Sequence, residues 1–396
     1  MENGDKAAVD REWRERYVQA ARLVVVKIGS AVLTDENGRL NEDFFARFAA
    51  EIAGLMEAGY RFLVVSSGAV AAGRGALGYQ QPPATIPEKQ ACAAVGQVRL
   101  MWHYEQGFAA HGRLVGQVLL TGDDIHNRRR YLNARHTILA LLRHGVVPII
   151  NENDTVVVRE IKFGDNDNLA ALMTSLAEVD LLILLTDIDG FFREDPKVNP
   201  AAERLRVVPE VDDNIESLAS FSKSRLGTGG MLSKLQGVKK AAAYGIPTVM
   251  ANGRRAGVVS RILAGEPEGT LFLPREHCLT CRKHWLAFAS NPRGTLVLDA
   301  GAVQALQQRG KSLLPSGILE VKGEFGVGDP VLCCDAAGRE IARGLAGYSA
   351  EEIRRIKGRH SREIEAILGY HSVDEVIHRD NLVLVEPLAG PGAGCR

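Results

Sequence analysis

Short apolar, β-branched runs alternate with stretches of helical periodicity up to about residue 275. Nearly all of these runs are apolar throughout, which is typical of strands covered on both faces. Seven are predicted as strands: Leu23 to Ile28, Arg61 to Ser66, Val115 to Thr121, Val146 to Asn151, Leu181 to Thr186, Pro247 to Ala251 and Thr270 to Leu273. Helices are predicted at about residues 41–58, 87–110, 131–144, 167–178, 230–244 and 257–264. The alternation predicts an α/β fold with a mainly parallel sheet covered by helices.

The pattern changes after this α/β domain, which is predicted to span residues 21–275. Residues 276–291 read as a polar linker, and from residue 292 to 385 short strands separated by glycine turns predict a small, mostly β domain. Residues 1–20 read as a polar, helical N-terminal extension, and residues 386–396 as a disordered tail rich in Gly and Pro.

Charge and hydropathy exclude several classes of protein. Lys plus Arg equals Asp plus Glu at 48 each, so no net field steers the chain to nucleic acid or to a membrane. The longest apolar runs, such as Leu181 to Leu185, are far too short to span a bilayer. The first twenty residues are charged and lack the apolar core of a secretory signal. We therefore expect a cytoplasmic protein whose six cysteines remain thiols.

Two loops consist almost wholly of acids and amides. Asn151-Glu152-Asn153-Asp154 closes the fourth predicted strand, and Gly164-Asp165-Asn166-Asp167-Asn168 opens the helix that follows. Such side chains bury poorly, so this pattern favours a site for a polar ligand with an ammonium group or a metal ion. Solvated turns, with Asp165 or Asn166 as a helix N-cap, are the alternative.

Three further strand ends and loops are typical of anion binding. Lys27 ends the first strand before Gly29, and Ser66-Ser67-Gly68 follows the second. The glycine run from Gly227 leads directly into a helix that carries Lys234 in its first turn. Glycines allow backbone amides to surround a phosphate, and a lysine one turn into the helix can reach it. No Walker A sequence occurs in the chain, which disfavours a P-loop kinase.

The pattern G-x-G-x-x-G at Gly73 to Gly78 is interpreted as unrelated to nucleotide binding, because it lies about seven residues too late after its strand. Two phosphate-type lysines beside an acid-amide pocket predict phosphoryl transfer. A carboxylate acceptor would need no general base, since it is already ionised at neutral pH.

Several of these segments together resemble the glutamate 5-kinases of the amino acid kinase family. The resemblance spans most of the chain and is carried by Val26 to Ser30, Ser66 to Gly73, Tyr131 to Arg135, Ile150 to Asp154, Gly164 to Asn168 and Gly227 to Lys234. In the C-terminal part, Ser312 to Ile318 and Ala366 to Tyr370 are similar to a PUA domain. The implied fold is a three-layer αβα sandwich followed by a PUA-like barrel.

The resemblance implies ATP-dependent phosphorylation of the γ-carboxylate of L-glutamate, the first step of proline synthesis. By position, Lys27 and Lys234 would be catalytic, and Ser67, Asp154 and Asn166 would bind glutamate. The residues implied to bind ATP are Lys27, Thr186, Asp187, Thr228, Gly229, Gly230, Met231, Leu232, Ser233 and Lys234. Mg²⁺ would arrive with ATP, without a metal site of the protein's own. Proline inhibition, a homo-oligomer and coupling to glutamyl phosphate reductase are further expectations of this kind.

Three alternatives stay open. Another amino acid kinase would act on N-acetylglutamate or aspartate, although Asp154 suits a free ammonium group better than an acetylated amine. The PUA-like domain raises RNA binding, which its near-neutral charge disfavours. Four soft ligands, His277, Cys278, Cys281 and His284, suggest zinc, but so short a loop seldom closes a tetrahedral site.

Overall fold

The computed structural model describes residues 3–35, 39–156, 166–196, 198–220, 230–275, 292–370 and 373–385. The chain forms two units, Met1–Ile125 with Arg129–Cys278, and His126–Arg128 with Leu279–Arg396. Each unit has its own sheet and its own hydrophobic core. Among the described helices, none has the length and apolar character that crossing a membrane requires. The predicted linker at 276–291 and tail at 386–396 lie outside the described residues.

The first unit is built on an eight-stranded sheet in the order β3-β4-β2-β1-β5-β7-β8-β6. Its strands are β1 Leu23–Ile28, β2 Arg61–Ser66, β3 Val115–Leu120, β4 Val147–Glu152, β5 Leu181–Thr186, β6 Val207–Val208, β7 Thr248–Asn252 and β8 Thr270–Phe272. Every neighbouring pair is parallel except β7 with β8. The mainly parallel sheet predicted from the sequence is confirmed, and β6, which the sequence did not reveal, is too short to show a period.

Helices connect these strands, as the alternating pattern predicts. They are α1 Asn3–Arg14, which continues as a π-helical turn at Glu15–Gln19, α2 Ser30–Leu33, α3 Glu42–Glu57, α4 Ala69–Ala76, α5 Ile86–Ala109, α6 Gly122–His126, α7 Arg128–Arg143, α8 Asn166–Ala177, α9 Asp213–Ser220, α10 Met231–Ala243 and α11 Val258–Leu263. Side-chain hydrogen bonds fix the residues at which two of these helices begin. The Asn41 side chain accepts from the Phe44 amide at the start of α3, and Thr85 with Glu88 forms a capping box at the start of α5.

The central strands are buried along their whole length. Every residue of β1, β4 and β5 is buried, because helices cover both faces of a parallel sheet. Phe44, Phe45 and Phe48 of α3 pack into the same core. The carboxyl ends of β4, β2, β1 and β5 therefore lie side by side at one edge of the sheet.

Two glycines let α4 and α5 come into backbone contact. A Cβ atom at Gly73 would overlap the Cys92 carbonyl, and one at Gly96 would overlap the Ala69 carbonyl. Gly73, the first glycine of the G-x-G-x-x-G pattern, therefore serves helix packing. That observation supports the interpretation that the pattern is not a nucleotide loop.

The N-terminal helix is held to the first unit by a buried arginine. Arg14 pairs with Asp10 at 2.7 Å and donates to the carbonyl oxygens of Glu266 and Glu268, each at 3.0 Å. The arginine satisfies carbonyl groups just before β8, which is how a buried guanidinium is normally compensated.

The second unit contains a five-stranded sheet in the order β10-β9-β11-β12-β13. Its strands are β9 Gly294–Leu298, β10 Ile318–Gly323, β11 Pro330–Cys334, β12 Glu340–Leu345 and β13 Leu382–Leu384. Among the described residues of this unit, the α-helices are α12 Ala300–Arg309, α13 Ala350–Ile356 and α14 Ile364–Leu368. The predicted mostly β domain is confirmed, and its helices are an addition that the sequence analysis did not make.

Candidate functional site

Lys27 is the single polar residue in the apolar strand β1, and it is 4% exposed. A buried ammonium group needs a counter-charge, because its desolvation is costly. Asp167, fully buried in the first turn of α8, provides it through an ion pair with Lys27. The second oxygen of the same carboxylate lies 3.5 Å from the Nζ of Lys234 in α10. Asp167 therefore bridges the two predicted catalytic lysines.

The lysine–aspartate–lysine group places two ammonium groups against one buried carboxylate. Asp167 belongs to the quoted acid-amide loop, but the sequence analysis did not single it out. Lys27, buried at a strand end, and Lys234, partly buried at a helix start, imply a shared carboxylate, which was the available signal.

A close contact fixes the distance between α8 and α10. A Cβ atom at Gly237 would lie 2.8 Å from the Asp167 carbonyl oxygen. Lys240, one turn along α10, donates to the Asn168 side chain at 2.8 Å. The glycine lets α10 approach α8 closely enough for Lys234 to reach Asp167.

The residues predicted to bind ATP lie at the start of α10 and after the end of β5. Gly230 is the N-cap of α10 in extended conformation, and Met231 to Lys234 form the first turn. The amides of Met231, Leu232 and Ser233 precede the first intrahelical bond, which the Lys234 amide donates to the Gly230 carbonyl at 3.4 Å. Within the described part of the chain, the Ser233 hydroxyl is buried and has no hydrogen-bond partner. Thr228 and Gly229 lie outside the described residues.

The other predicted ATP residues follow β5. The Thr186 hydroxyl is engaged in its own turn, where it accepts from the Ile188 amide at 3.1 Å and donates to the Ile188 carbonyl at 3.0 Å. Asp187 is exposed. These contacts shape the turn after β5, beside the β1 end that carries Lys27.

Two of the three predicted glutamate residues meet directly. The Asn166 side-chain amide donates to Ser67 Oγ at 3.1 Å and to Asn151 Oδ1 at 3.1 Å. Ser67 follows β2, Asn151 lies in β4, and the two strands are paired neighbours. Asn151 was quoted in a motif without a predicted role, and the structure includes it in the group.

Asp154 lies in the turn after β4 and is partly buried. Burial raises the pKa of its carboxyl to about 6. Within the described residues, no hydrogen bond connects Asp154 to Ser67 or Asn166. A half-desolvated carboxylate of this kind favours a ligand that brings a positive charge.

No group of three or more His, Cys, Asp or Glu side chains suited to a metal ion occurs in the described ranges. His277, Cys278, Cys281 and His284, the candidate zinc ligands, lie outside those ranges, so the zinc hypothesis stays a prediction.

Comparison with known proteins identifies related families. The amino acid kinase family model matches residues 22–252, and the PUA domain model matches residues 294–368. The glutamate 5-kinase of Geobacter metallireducens is 54% identical over 373 residues, which cover 94% of this chain and 100% of the relative. The glutamate 5-kinase of Syntrophotalea carbinolica is 51% identical over 371 residues, 94% of this chain and 99% of the relative. Among solved structures, an isopentenyl phosphate kinase matches with 20% identity and a TM-score of 0.46, covering 63% of this chain and 100% of that chain.

Proposed function

Because this chain belongs to the glutamate 5-kinases of the amino acid kinase family, we propose that it transfers the γ-phosphoryl group of ATP to the γ-carboxylate of L-glutamate. The product, glutamyl 5-phosphate, is the first intermediate of proline synthesis. The observation that carries the proposal is the buried lysine–aspartate–lysine group at the carboxyl edge of the sheet.

The two ammonium groups of this group are suited to the negative charge that moves during phosphoryl transfer. A γ-carboxylate oxygen attacks the γ-phosphorus, a new O–P bond forms, and the bond to the β–γ bridging oxygen breaks. Lys27 neutralises the transferring phosphoryl group, and Lys234 neutralises charge on the departing ADP. Asp167 holds both ammonium groups in position. The carboxylate acceptor is ionised at neutral pH, so no base removes a proton.

The acid-amide residues hold glutamate. Asp154 pairs with the α-ammonium group, and Ser67 with Asn166 contributes polar contacts beside it. The buried Asp154 carboxylate favours a free ammonium group over an acetylated amine, because an acyl group would leave the carboxylate without a cation. This preference separates glutamate from N-acetylglutamate as the acceptor.

ATP occupies the region between the turn after β5 and the start of α10. The amides of the first turn of α10 and the unpartnered Ser233 hydroxyl are suited to phosphate oxygens. Thr186, Asp187, and residues 228–234 form this proposed site. Mg²⁺ enters with ATP and is held mainly by phosphate oxygens.

Regulation and assembly follow from the same assignment. Proline carries the ammonium and carboxylate groups of an amino acid, so it is proposed to inhibit by competing at the glutamate residues. A homo-oligomer is supported by the exposed apolar side chains of Val98 and Trp102 on α5, 71% and 57% exposed, beside the sheet-edge strand β3. Coupling to glutamyl phosphate reductase would protect the labile acyl phosphate. Because ATP is a cosubstrate, we propose the cytoplasm as its compartment.

RNA binding by the second unit is the second candidate, and local contacts argue against it. Arg354 donates to the Gly323 carbonyl at 2.7 Å, Arg355 donates to the Ile367 carbonyl, and Lys357 donates to the Leu319 carbonyl at 3.2 Å. These three basic side chains therefore form hydrogen bonds within the unit itself. Only an affinity for RNA that falls as the salt concentration rises would support this function.

The test is acyl phosphate trapping. Purified protein with ATP, Mg²⁺ and hydroxylamine should give an acyl hydroxamate with L-glutamate and not with N-acetylglutamate or aspartate. Lys27→Met should lower the rate by about 10²–10³-fold, because it removes a charge that stabilises the transition state. Lys89→Met, an exposed lysine of α5, is the matched control and should keep the wild-type rate. A folded wild-type protein that gives no hydroxamate with any acceptor would overturn the proposal.

A further inference from the structure

A line of side-chain hydrogen bonds runs from α5 to α8 beneath the proposed glutamate site. Asn151 Nδ2 donates to Gln97 Oε1 at 2.8 Å, and Asn166 Nδ2 donates to Asn151 Oδ1 at 3.1 Å and to Ser67 Oγ at 3.1 Å. Asn151, at the centre of this line, is 2% exposed, and Ser67, Gln97 and Asn166 are partly buried. Gln97 has no role in the function proposed above.

The direction of every bond in this line is fixed by one backbone group. The Glu152 amide donates to Asn151 Oδ1 at 2.9 Å, and a backbone N–H can only donate. Asn151 must therefore turn its oxygen toward Glu152 and Asn166, and its NH₂ group toward Gln97. Asn166 in turn must present its NH₂ group to Asn151, since the reverse would bring two oxygens together.

This polarity leaves one buried acceptor without a partner. Both hydrogens of the Asn166 NH₂ group are used, by Ser67 and Asn151. The Asn166 Oδ1 atom is buried and, among the described residues, has no hydrogen-bond partner. A buried carbonyl oxygen without a donor is costly, which favours a ligand group that can donate to it.

We infer that Gln97 is a positioning residue of the glutamate site, which acts through Asn151 to hold the Asn166 oxygen ready to accept from the substrate's ammonium group. The inference rests on the proposed function, because it assumes that Asn166 belongs to the glutamate site. Gln97 provides the only acceptor that the structure gives to Asn151 Nδ2 within the described residues. Without that acceptor, the Asn151 NH₂ group would lose its hydrogen bond, and nothing would hold the Asn151 side chain in this orientation. Asn166 would then lose its fixed orientation as well.

The backbone contact between α4 and α5 sets the position of Gln97. Gly96, the preceding residue, lies against the Ala69 carbonyl so closely that a Cβ atom there would overlap it. Ala69 begins α4 directly after Ser67 and Gly68, so the same contact fixes Gln97 relative to Ser67. The backbone contact between α4 and α5 therefore fixes the two ends of the hydrogen-bond line, Gln97 and Ser67, relative to each other.

The inference predicts a specific kinetic change in Gln97→Met, which keeps the side-chain length and removes the acceptor. The KM for glutamate should rise about tenfold, since a buried donor loses its partner and the site loses its orientation. The KM for ATP should stay within about twofold, because the lysines and α10 are untouched. Gln106→Met, on an exposed position of the same helix, should match the wild type in both constants.

Gln97→Glu tests whether Gln97 acts through Asn151. This variant keeps an oxygen for Asn151 Nδ2 and replaces the NH₂ group, which has no hydrogen-bond partner among the described residues, with a second oxygen and a negative charge. Because the retained oxygen still accepts from Asn151, we expect the KM for glutamate to recover to within about threefold of the wild type. If Gln97→Glu is as impaired as Gln97→Met, Gln97 does not act through its oxygen, and the positioning role is overturned. Thermal unfolding of each variant identifies any general loss of folding.

The outcomes also separate this inference from the function on which it rests. A wild-type protein that forms glutamyl hydroxamate, together with a Gln97→Met variant of unchanged glutamate KM, overturns the role of Gln97 alone. A wild-type protein that forms no hydroxamate overturns both.

Discussion

The ionised Asp154 carboxylate destabilises the folded state at neutral pH. Such a cost is expected of a group whose role is to bind a ligand. Burial raises the pKa of its carboxyl from 3.8 in the free side chain to about 6 in the folded protein. Between these values the folded state holds more protons than the unfolded state, so this group lowers stability as the pH rises from about 4 to 6. Above pH 6 the full cost is present, and a bound ammonium group would offset it.

The same pKa predicts how glutamate use depends on pH. We expect kcat/KM for glutamate to fall about fourfold between pH 8 and pH 5.5, because a carboxyl of pKa about 6 is mostly protonated at the lower pH. Initial rates at low glutamate and saturating ATP measure it. Asp154→Asn should have a low kcat/KM that lacks this inflection, and a variant with the wild-type pH profile would remove Asp154 from the glutamate site.

At the residue scale, the sequence identified candidate residues but not the contacts between them. Lys27, Lys234, Ser67 and Asn166 were identified from their positions at strand and helix ends, and the structure brings them into two adjoining groups. Which acid of the loop faces the lysines depends on the rotation of α8 about its axis, which spacing does not give. Gln97 lies inside a long helix, and its burial depends on a helix contact that is not local in sequence.

At the scale of elements, the contact between α8 and α10 holds the lysine–aspartate–lysine group together. Gly237 permits it, and Lys240 with Asn168 reinforces it. A wider spacing would move Lys234 away from Asp167, although neither residue had changed.

Gly237→Ala should therefore impair the reaction from outside the site. The added Cβ would lie 2.8 Å from the Asp167 carbonyl oxygen, so we expect α10 to shift, kcat to fall about tenfold, and stability to fall by about 1–3 kcal/mol. Steady-state kinetics and urea unfolding measure both effects. Gly54→Ala in α3, where a Cβ meets no atom within 4 Å, is the matched control and should be neutral or stabilising by up to about 1 kcal/mol. Equal kcat values in the two variants would contradict this role of Gly237.

Elements with strong periodicity were predicted well, and short ones were not. The boundaries of β1, β2 and β5 agree with the predicted strands, because a run of four or more apolar or β-branched residues leaves few alternatives. β6 and β13 are too short to show a period. α13 had a readable signal that the sequence analysis did not use, the capping box of Ser349 and Glu352.

Each of the two units has a hydrophobic core of its own among the described residues. The cluster in the first unit takes alternate residues of the central strands and includes Ile52 of α3, and the cluster in the second unit includes Ile353 of α13. The proposed reaction uses residues of the first unit only. The second, mostly β domain was predicted from the change of sequence pattern after the α/β domain, since strand length and glycine spacing differ between the two kinds of sheet.

Separate cores predict separable stabilities. Ile353→Ala should destabilise the second unit by about 2–5 kcal/mol and leave the KM values for glutamate and ATP within about twofold. Ile52→Ala, equally buried, should destabilise the first unit by a similar amount. Differential scanning calorimetry should show each variant lowering a different transition. One transition that both variants lower equally would show that the cores unfold together.

The central position of β1 has a consequence during synthesis on the ribosome. β1 pairs with β2 on one side, and on the other with β5, which is translated more than 150 residues later. At ~5–20 residues per second, one edge of the most buried strand stays unpaired for roughly 8–30 s. The nascent chain therefore presents an apolar strand edge to its surroundings over that interval, so molecular chaperones that bind extended apolar segments would meet this chain first at β1.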